Sequence, residues 1–212
     1  MDKRLVIILG VLFLSLVVFI VLPVFFSSPT YGFGMMNNHM TGGYQNYSVM
    51  NNEEAKLEVK ESLQGAEINK KDNTIRFSEN ELSLIMLAGH GETDNDLEEN
   101  ATDQGEKFII GGLANPTIYL PKGARVTMQL INQDEEMPHG IVLTQASPPY
   151  SYMSMMNWGY GGISVPVIPE AKENKLPYVE TNFQINKAAE LYYICQVPGH
   201  AADGMYGKII FE

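Results

Sequence analysis

Tyr192-Tyr193-Ile194-Cys195-Gln196-Val197-Pro198-Gly199-His200-Ala201-Ala202-Asp203-Gly204-Met205-Tyr206-Gly207-Lys208-Ile209-Ile210-Phe211 is the stretch that decides how this chain is read. An apolar run ends at Cys195, Pro198-Gly199 reverses the direction, and His200 follows the reversal. Gly204 then permits a second turn before Met205 and another apolar run. Runs of this length bounded by Pro and Gly are strand-like. One tight loop between two strands therefore carries a thiol, an imidazole and a thioether, with four residues in each gap.

Cys195 is the sole cysteine among 212 residues, so an internal disulfide framework is excluded. Such a thiol is buried and inert, reactive, or bound to a metal, and its neighbours favour the last. Thiolate and thioether are soft donors and imidazole is intermediate; a trigonal two-histidine, one-cysteine set with a distant axial methionine suits copper in both oxidation states. A second imidazole must come from elsewhere in the chain. His139, between Met137-Pro138 and the apolar run 140–144, is the candidate. The expected site is one copper per chain, cycling between Cu(II) and Cu(I), on His139, Cys195, His200 and Met205. Structural zinc prefers several thiolates or imidazoles without a thioether, and haem attachment needs a Cys-x-x-Cys-His that is absent. A cysteine protease would have no use for Met205.

The rest of the chain sets the frame for this site. A length of 212 residues accommodates one ordinary domain with an anchor and a linker. The formal charge of −11 disfavours nucleic acid and suits a redox protein or another cationic partner. Much of that acidity sits at 92–103, read as a solvated loop. Residues 5–26 are apolar for about the length that crosses a bilayer core. Lys3 and Arg4 precede them, so the positive-inside tendency predicts an uncleaved single-pass anchor with everything from about Ser27 onward outside the cell membrane. Residues 27–52, rich in Gly, Asn, Ser, Tyr and Met, read as a flexible linker. The Met35-Met36-Asn37-Asn38-His39-Met40 segment within it could catch Cu(I) transiently, though a low-complexity linker explains it more simply. Asn46 and Asn100 open two glycosylation sequons.

Residues 53–212 form the expected copper domain. Apolar or alternating runs at 56–63, 74–77, 82–87, 107–110, 125–132, 140–144, 182–185, 191–196 and 207–211 predict an all-β fold, a Greek-key β-sandwich or barrel without a long helix. Residues 147–176 read as a long loop between strands. Its cluster from Tyr150 to Trp158 reads as core and loop packing, a second docking surface or a cover over the copper site.

At the Cys195–Met205 loop the sequence resembles the cupredoxins. Among them it looks like the sulfocyanins, membrane-anchored blue copper proteins of archaeal respiratory chains; the rusticyanins are looser relatives. The resemblance is good from about Phe108 to Glu212 and weaker from Glu53 to Lys107. It implies a cupredoxin β-sandwich, one type 1 copper, and electron transfer between redox protein partners in the membrane rather than an enzymatic reaction. One departure is Gly140, where many cupredoxins place an Asn or Ser whose side chain ties the two ligand loops together. In an acidic exterior protons would compete with copper for imidazole and thiolate. Val197, Pro198, Ala201 and Ala202, with Met137 and Pro138, are expected to shield the metal with an apolar lid that doubles as the docking patch, the His200 edge being the way out for the electron.

Two other functions are separable from this one. Multicopper oxidases and nitrite reductases need further copper centres, and only His39 and His90 remain after the ligands are assigned. A copper-binding or trafficking protein would favour exposed, methionine-rich Cu(I) sites over a buried thiolate.

Overall fold

The computed structural model describes residues 46–89, 105–153 and 159–212. The expected anchor, the methionine segment 35–40, the acidic stretch 92–103 and residues 154–158 lie outside them. Among the described residues there are thirteen strands, one α-helix and a 3-10 turn at Tyr160–Gly162. None of the described helices is long and apolar enough to cross a membrane.

One sheet contains β1 (Ser48–Met50), β4 (Glu81–Gly89), β5 (Lys107–Ile110), β6 (Leu113–Ala114), β8 (Arg125–Asn132) and β11 (Leu176–Gln184), in the order β1-β11-β8-β4-β5-β6. The other contains β2 (Glu67–Asn69), β3 (Thr74–Arg76), β7 (Thr117–Leu120), β9 (His139–Thr144), β10 (Ser164–Ile168), β12 (Ala189–Cys195) and β13 (Tyr206–Phe211), in the order β10-β9-β12-β13-β7-β3-β2. Pairs β4–β8, β7–β13 and β3–β7 are parallel. The sheets face each other across a shared core. Leu84, Met86, Val126, Met128 and Leu130 come from the first sheet, and Ile118, Leu143, Leu191, Tyr193, Ile209 and Phe211 from the second. Side chains alternate faces along a strand, so Leu84 and Met86 enter this core while Ile85 points the other way. Each fully buried aliphatic chain of this size contributes about 1.5–3 kcal/mol.

The outward face of β4 explains one correction. Of residues 56–63, expected as a strand, 56–62 belong to helix α1 (Asn52–Ser62) and Leu63 caps its end. The alternation Leu57-Glu58-Val59-Lys60 mimics a strand, yet the chain just before it carries a helix start. The Asn51 side chain accepts from the Glu54 N–H, and Glu54 Oε2 accepts from the Asn51 N–H, a reciprocal capping box. Ala55 and Val59, one turn apart, then lie against Ile85 and Ile131. The end of the stretch read as linker is also structured, because Ser48, Val49 and Met50 pair with Tyr178, Pro177 and Leu176. Within the expected long loop 147–176, β10 pairs with β9.

The second sheet positions the site residues. Cys195 ends β12 directly opposite Ile141 of β9, two residues from His139. Tyr193, two residues before Cys195 and therefore on the same face, packs edge-on against Phe108 at 5.6 Å and donates its hydroxyl to the Pro116 carbonyl at 2.7 Å. Tyr193→Phe leaves that buried carbonyl without its donor. It should cost about 1–3 kcal/mol, read as a lowered urea midpoint with an unchanged slope.

Candidate metal centre

Three of the four expected ligands converge in the structure. Cys195 Sγ lies 3.7 Å from His139 Nδ1 and 3.6 Å from His200 Nδ1. The two imidazole rings sit 5.0 Å apart, tilted by 58°. These donors form a group suited to hold a metal ion, and all are buried. Met205 is fully buried in the core cluster that contains Cys195. Its backbone joins the same loop, with its carbonyl accepting from the Cys195 N–H at 3.1 Å and its N–H donating to the His200 carbonyl at 2.8 Å.

The spacing of the donors suits a single bound metal ion. Bonds of about 2.0 Å to imidazole nitrogen and about 2.3 Å to sulfur, opened to about 120°, separate nitrogen from sulfur by about 3.7 Å. A tetrahedral angle would bring them to about 3.5 Å. The observed edges of 3.6 and 3.7 Å run from midway between the two values to the trigonal one. One thiolate and two imidazoles, with a methionine on the same loop, are donor types that suit copper in either oxidation state.

The loop is held by its own backbone. Gly199 and Gly204 adopt φ of 92° and 102°, which a side chain would strain. The Asn115 side-chain amide donates to the Gly204 carbonyl at 2.9 Å. Gly140 has a structural reason, since a Cβ there would come within 2.9–3.0 Å of Val167, including its backbone. The tie expected from a side chain at that position is supplied from the other side. Gln196, next to Cys195, donates through Nε2 to the Ile141 carbonyl at 2.8 Å and the Val165 carbonyl at 2.6 Å. It fastens the cysteine end of the loop to β9 and β10.

Behind His139 lies an acidic pair that sequence reasoning missed. His139 Nε2 is 3.3 Å from Asp134 Oδ2 and 3.5 Å from Glu106 Oε2. Asp134 lies five residues before His139, a spacing that could have flagged it; Glu106 comes from the residue just before β5 and gave no local signal. Burial pushes Glu106 up to about 8, helped by its hydrogen bond with Asp134 and that carboxylate's charge. Burial also works to raise Asp134, but hydrogen bonds from Glu106, the Glu136 N–H, His139 and the Met137 N–H outweigh it and hold it at about 2. At the metal face burial raises the Cys195 thiol to about 11 and lowers His200.

The expected apolar lid is realised in part. Val197 and Pro198 are half-buried and Ala201 is fully buried, while Ala202 and Met137 are exposed. From the insertion, Tyr150 is buried and Tyr152 and Met153 are exposed. The Tyr152 carbonyl accepts from the Gly199 N–H at 2.8 Å, which brings the insertion onto the ligand loop.

Fold and donor set together define a blue copper cupredoxin, with His139, Cys195, His200 and Met205 forming a type 1 site for one copper per chain. The particular cupredoxins to which the chain is similar are rusticyanins. It is 38% identical over 105 residues to rusticyanin of Acidithiobacillus ferridurans, covering 50% of this chain and 54% of that protein. Two rusticyanins of Acidithiobacillus ferrooxidans are 36% and 38% identical over the same length, with 54% and 66% of them covered. The chain thus spans about half the length of the first curated relatives it matches. A solved rusticyanin from Thiobacillus ferrooxidans superposes with a TM-score of 0.63 at 25% identity, covering 79% of this chain and 98% of that one. Another structure, described as the copper protein rusticyanin, gives 0.62 at 26% identity with the same coverage. No family model matches the chain.

Two predictions follow from the protonation states. Because the buried thiol holds its proton at neutral pH and only thiolate ligates, copper loading should acidify a weakly buffered solution; Cys195→Ser should lack that release. A carboxyl raised from 4.5 to about 8 binds its proton more tightly folded than unfolded, so Glu106 costs the copper-free protein stability as pH rises through that window. Glu106→Gln should therefore gain on the wild type between those pH values in urea titrations, with little difference below them.

Proposed function

We propose that this chain is a one-electron carrier that alternates between Cu(II) and Cu(I) at the His139, Cys195, His200 and Met205 site. The observation carrying this reading is the donor triangle itself, with sulfur-to-nitrogen edges of 3.6 and 3.7 Å already set by the fold. A site held near a geometry acceptable to both oxidation states needs little rearrangement on electron transfer. Met205 would supply a weak thioether donor, and the two imidazoles and the thiolate would hold the metal more strongly. Complete burial of Cys195 and His139 speaks against hand-over of the metal to another protein, which requires an accessible ion.

His200 is the ligand nearest the surface, at 8% exposure against 0% for His139. Electrons then pass through its edge, and the exposed Ala202 beside it belongs to the docking patch. In the wider assignment, residues 5–26 anchor the domain at the outer face of the cell membrane, as in sulfocyanins. There it carries electrons between protein partners of a respiratory chain. The apolar run behind Lys3 and Arg4 supports this placement.

The copper-loaded protein should show an intense blue band in the visible and titrate reversibly as a one-electron couple. Cys195→Ser should lose the band while keeping the fold. A colourless copper protein that does not cycle would overturn the proposal. Ala202→Glu should slow reduction by the partner and leave the spectrum intact.

A further inference from the structure

The carboxylates behind His139 are more than buried charge, because one of them is aimed. Asp134 sits in the turn between β8 and β9, and that turn holds it from several directions. Its Oδ1 accepts from the Glu136 N–H at 2.7 Å and the Met137 N–H at 3.0 Å. Its own N–H donates to Asn132 Oδ1 at 2.9 Å, and the Asn132 amide donates onward to the carbonyls of Met137 and Pro169. At the end of β4, Gly89 lets this turn pack closely, since a Cβ there would meet Asp134 atoms at 3.2–3.4 Å. With Oδ1 engaged by the turn, Oδ2 is left pointing at His139 Nε2 at 3.3 Å, and Glu106 approaches the same nitrogen at 3.5 Å. His139 thus presents Nδ1 to the sulfur of Cys195 and Nε2 to a carboxylate. Among the described residues no carboxylate pairs in this way with His200.

Resting on the copper reading above, we propose that Asp134, backed by Glu106, is a positioning residue. It takes the Nε2–H of His139, fixes the tautomer that leaves Nδ1 for the metal, and biases the site toward Cu(II). The physical basis is twofold. A hydrogen bond from the far nitrogen to a carboxylate locks ring orientation and makes the ligating nitrogen a stronger donor. Negative charge in a poorly solvated pocket also favours the more positive oxidation state of the ion. Both effects lower the reduction potential, and the two imidazoles become inequivalent: one is tied to a carboxylate and the other is not.

The test uses the copper-loaded full-length protein. Asp134→Asn preserves shape and the Oδ1 acceptor while removing the charge at Oδ2. The blue band should remain, and at a fixed applied potential the Cu(I) to Cu(II) ratio should rise about tenfold, equivalent to about 59 mV for a one-electron couple. Pulsed EPR on Cu(II) reads the remote imidazole nitrogens directly. In the wild type two different quadrupole couplings are expected, and Asp134→Asn should shift only one of them. An intact blue band with an unmoved potential overturns this inference alone. If Asp134→Asn fails to fold, the wild-type pulsed EPR decides it: distinct remote nitrogens support the inference and indistinguishable ones overturn it. A wild type that lacks the blue band overturns the copper reading and this inference with it.

Discussion

The register between β9 and β12 is the constraint on which the site depends. Pairing Cys195 with Ile141 puts the thiol at the end of one strand beside the start of its neighbour, where His139 stands. A shift of one residue would turn Cys195 to the other face of the sheet and break the donor triangle. That register is defended by the sandwich core, since Tyr193 and Leu191 on the same face as Cys195 are fully buried among residues of the opposite sheet. It is also defended locally, because Gln196 clamps the strand end to β9 and β10 through two backbone carbonyls.

Once the strands are fixed, the loop from Cys195 to Met205 has little freedom. Its ends are joined by the hydrogen bond between the Cys195 N–H and the Met205 carbonyl, and its middle is tied through the Met205 N–H to His200. The result is a set of soft and intermediate donors whose positions are decided by backbone hydrogen bonds and core packing. Burial of these groups has an electrostatic cost, visible in the raised thiol and the lowered His200, which binding of a cation to the thiolate offsets. Asp134, hydrogen-bonded to Glu106, adds negative charge on the far side of His139, so the metal face and the acidic face of one imidazole are opposite ends of a single polar path through the core.

Much of this was legible in the sequence where a residue type and its spacing carried the chemistry. Cys195, His200 and Met205 announce themselves because Pro198-Gly199 and Gly204 mark the turns; 107–110 reads as a strand because Lys107 is followed by an apolar run, and 125–132 because Arg125, Thr127 and Gln129 alternate with Val126, Met128 and Leu130. Helix α1 was misread because Leu57 and Val59 alternate with charged residues over a few positions, and the Asn51–Glu54 cap that outweighs this lies ahead of them. A strand as short as Leu113–Ala114 has too few residues to show a period. Glu106 reaches His139 only through the pairing of distant strands, and the role of Gln196 depends on carbonyls exposed where β9 and β10 diverge. Such contacts exist only after the chain has folded.

X-ray absorption of the copper-loaded protein in both oxidation states tests the central claim most directly. The account predicts one short thiolate sulfur and two imidazole nitrogens around the metal, with these distances nearly unchanged on reduction. A copper coordinated without sulfur, or one whose ligand shell reorganises between the two states, would contradict it.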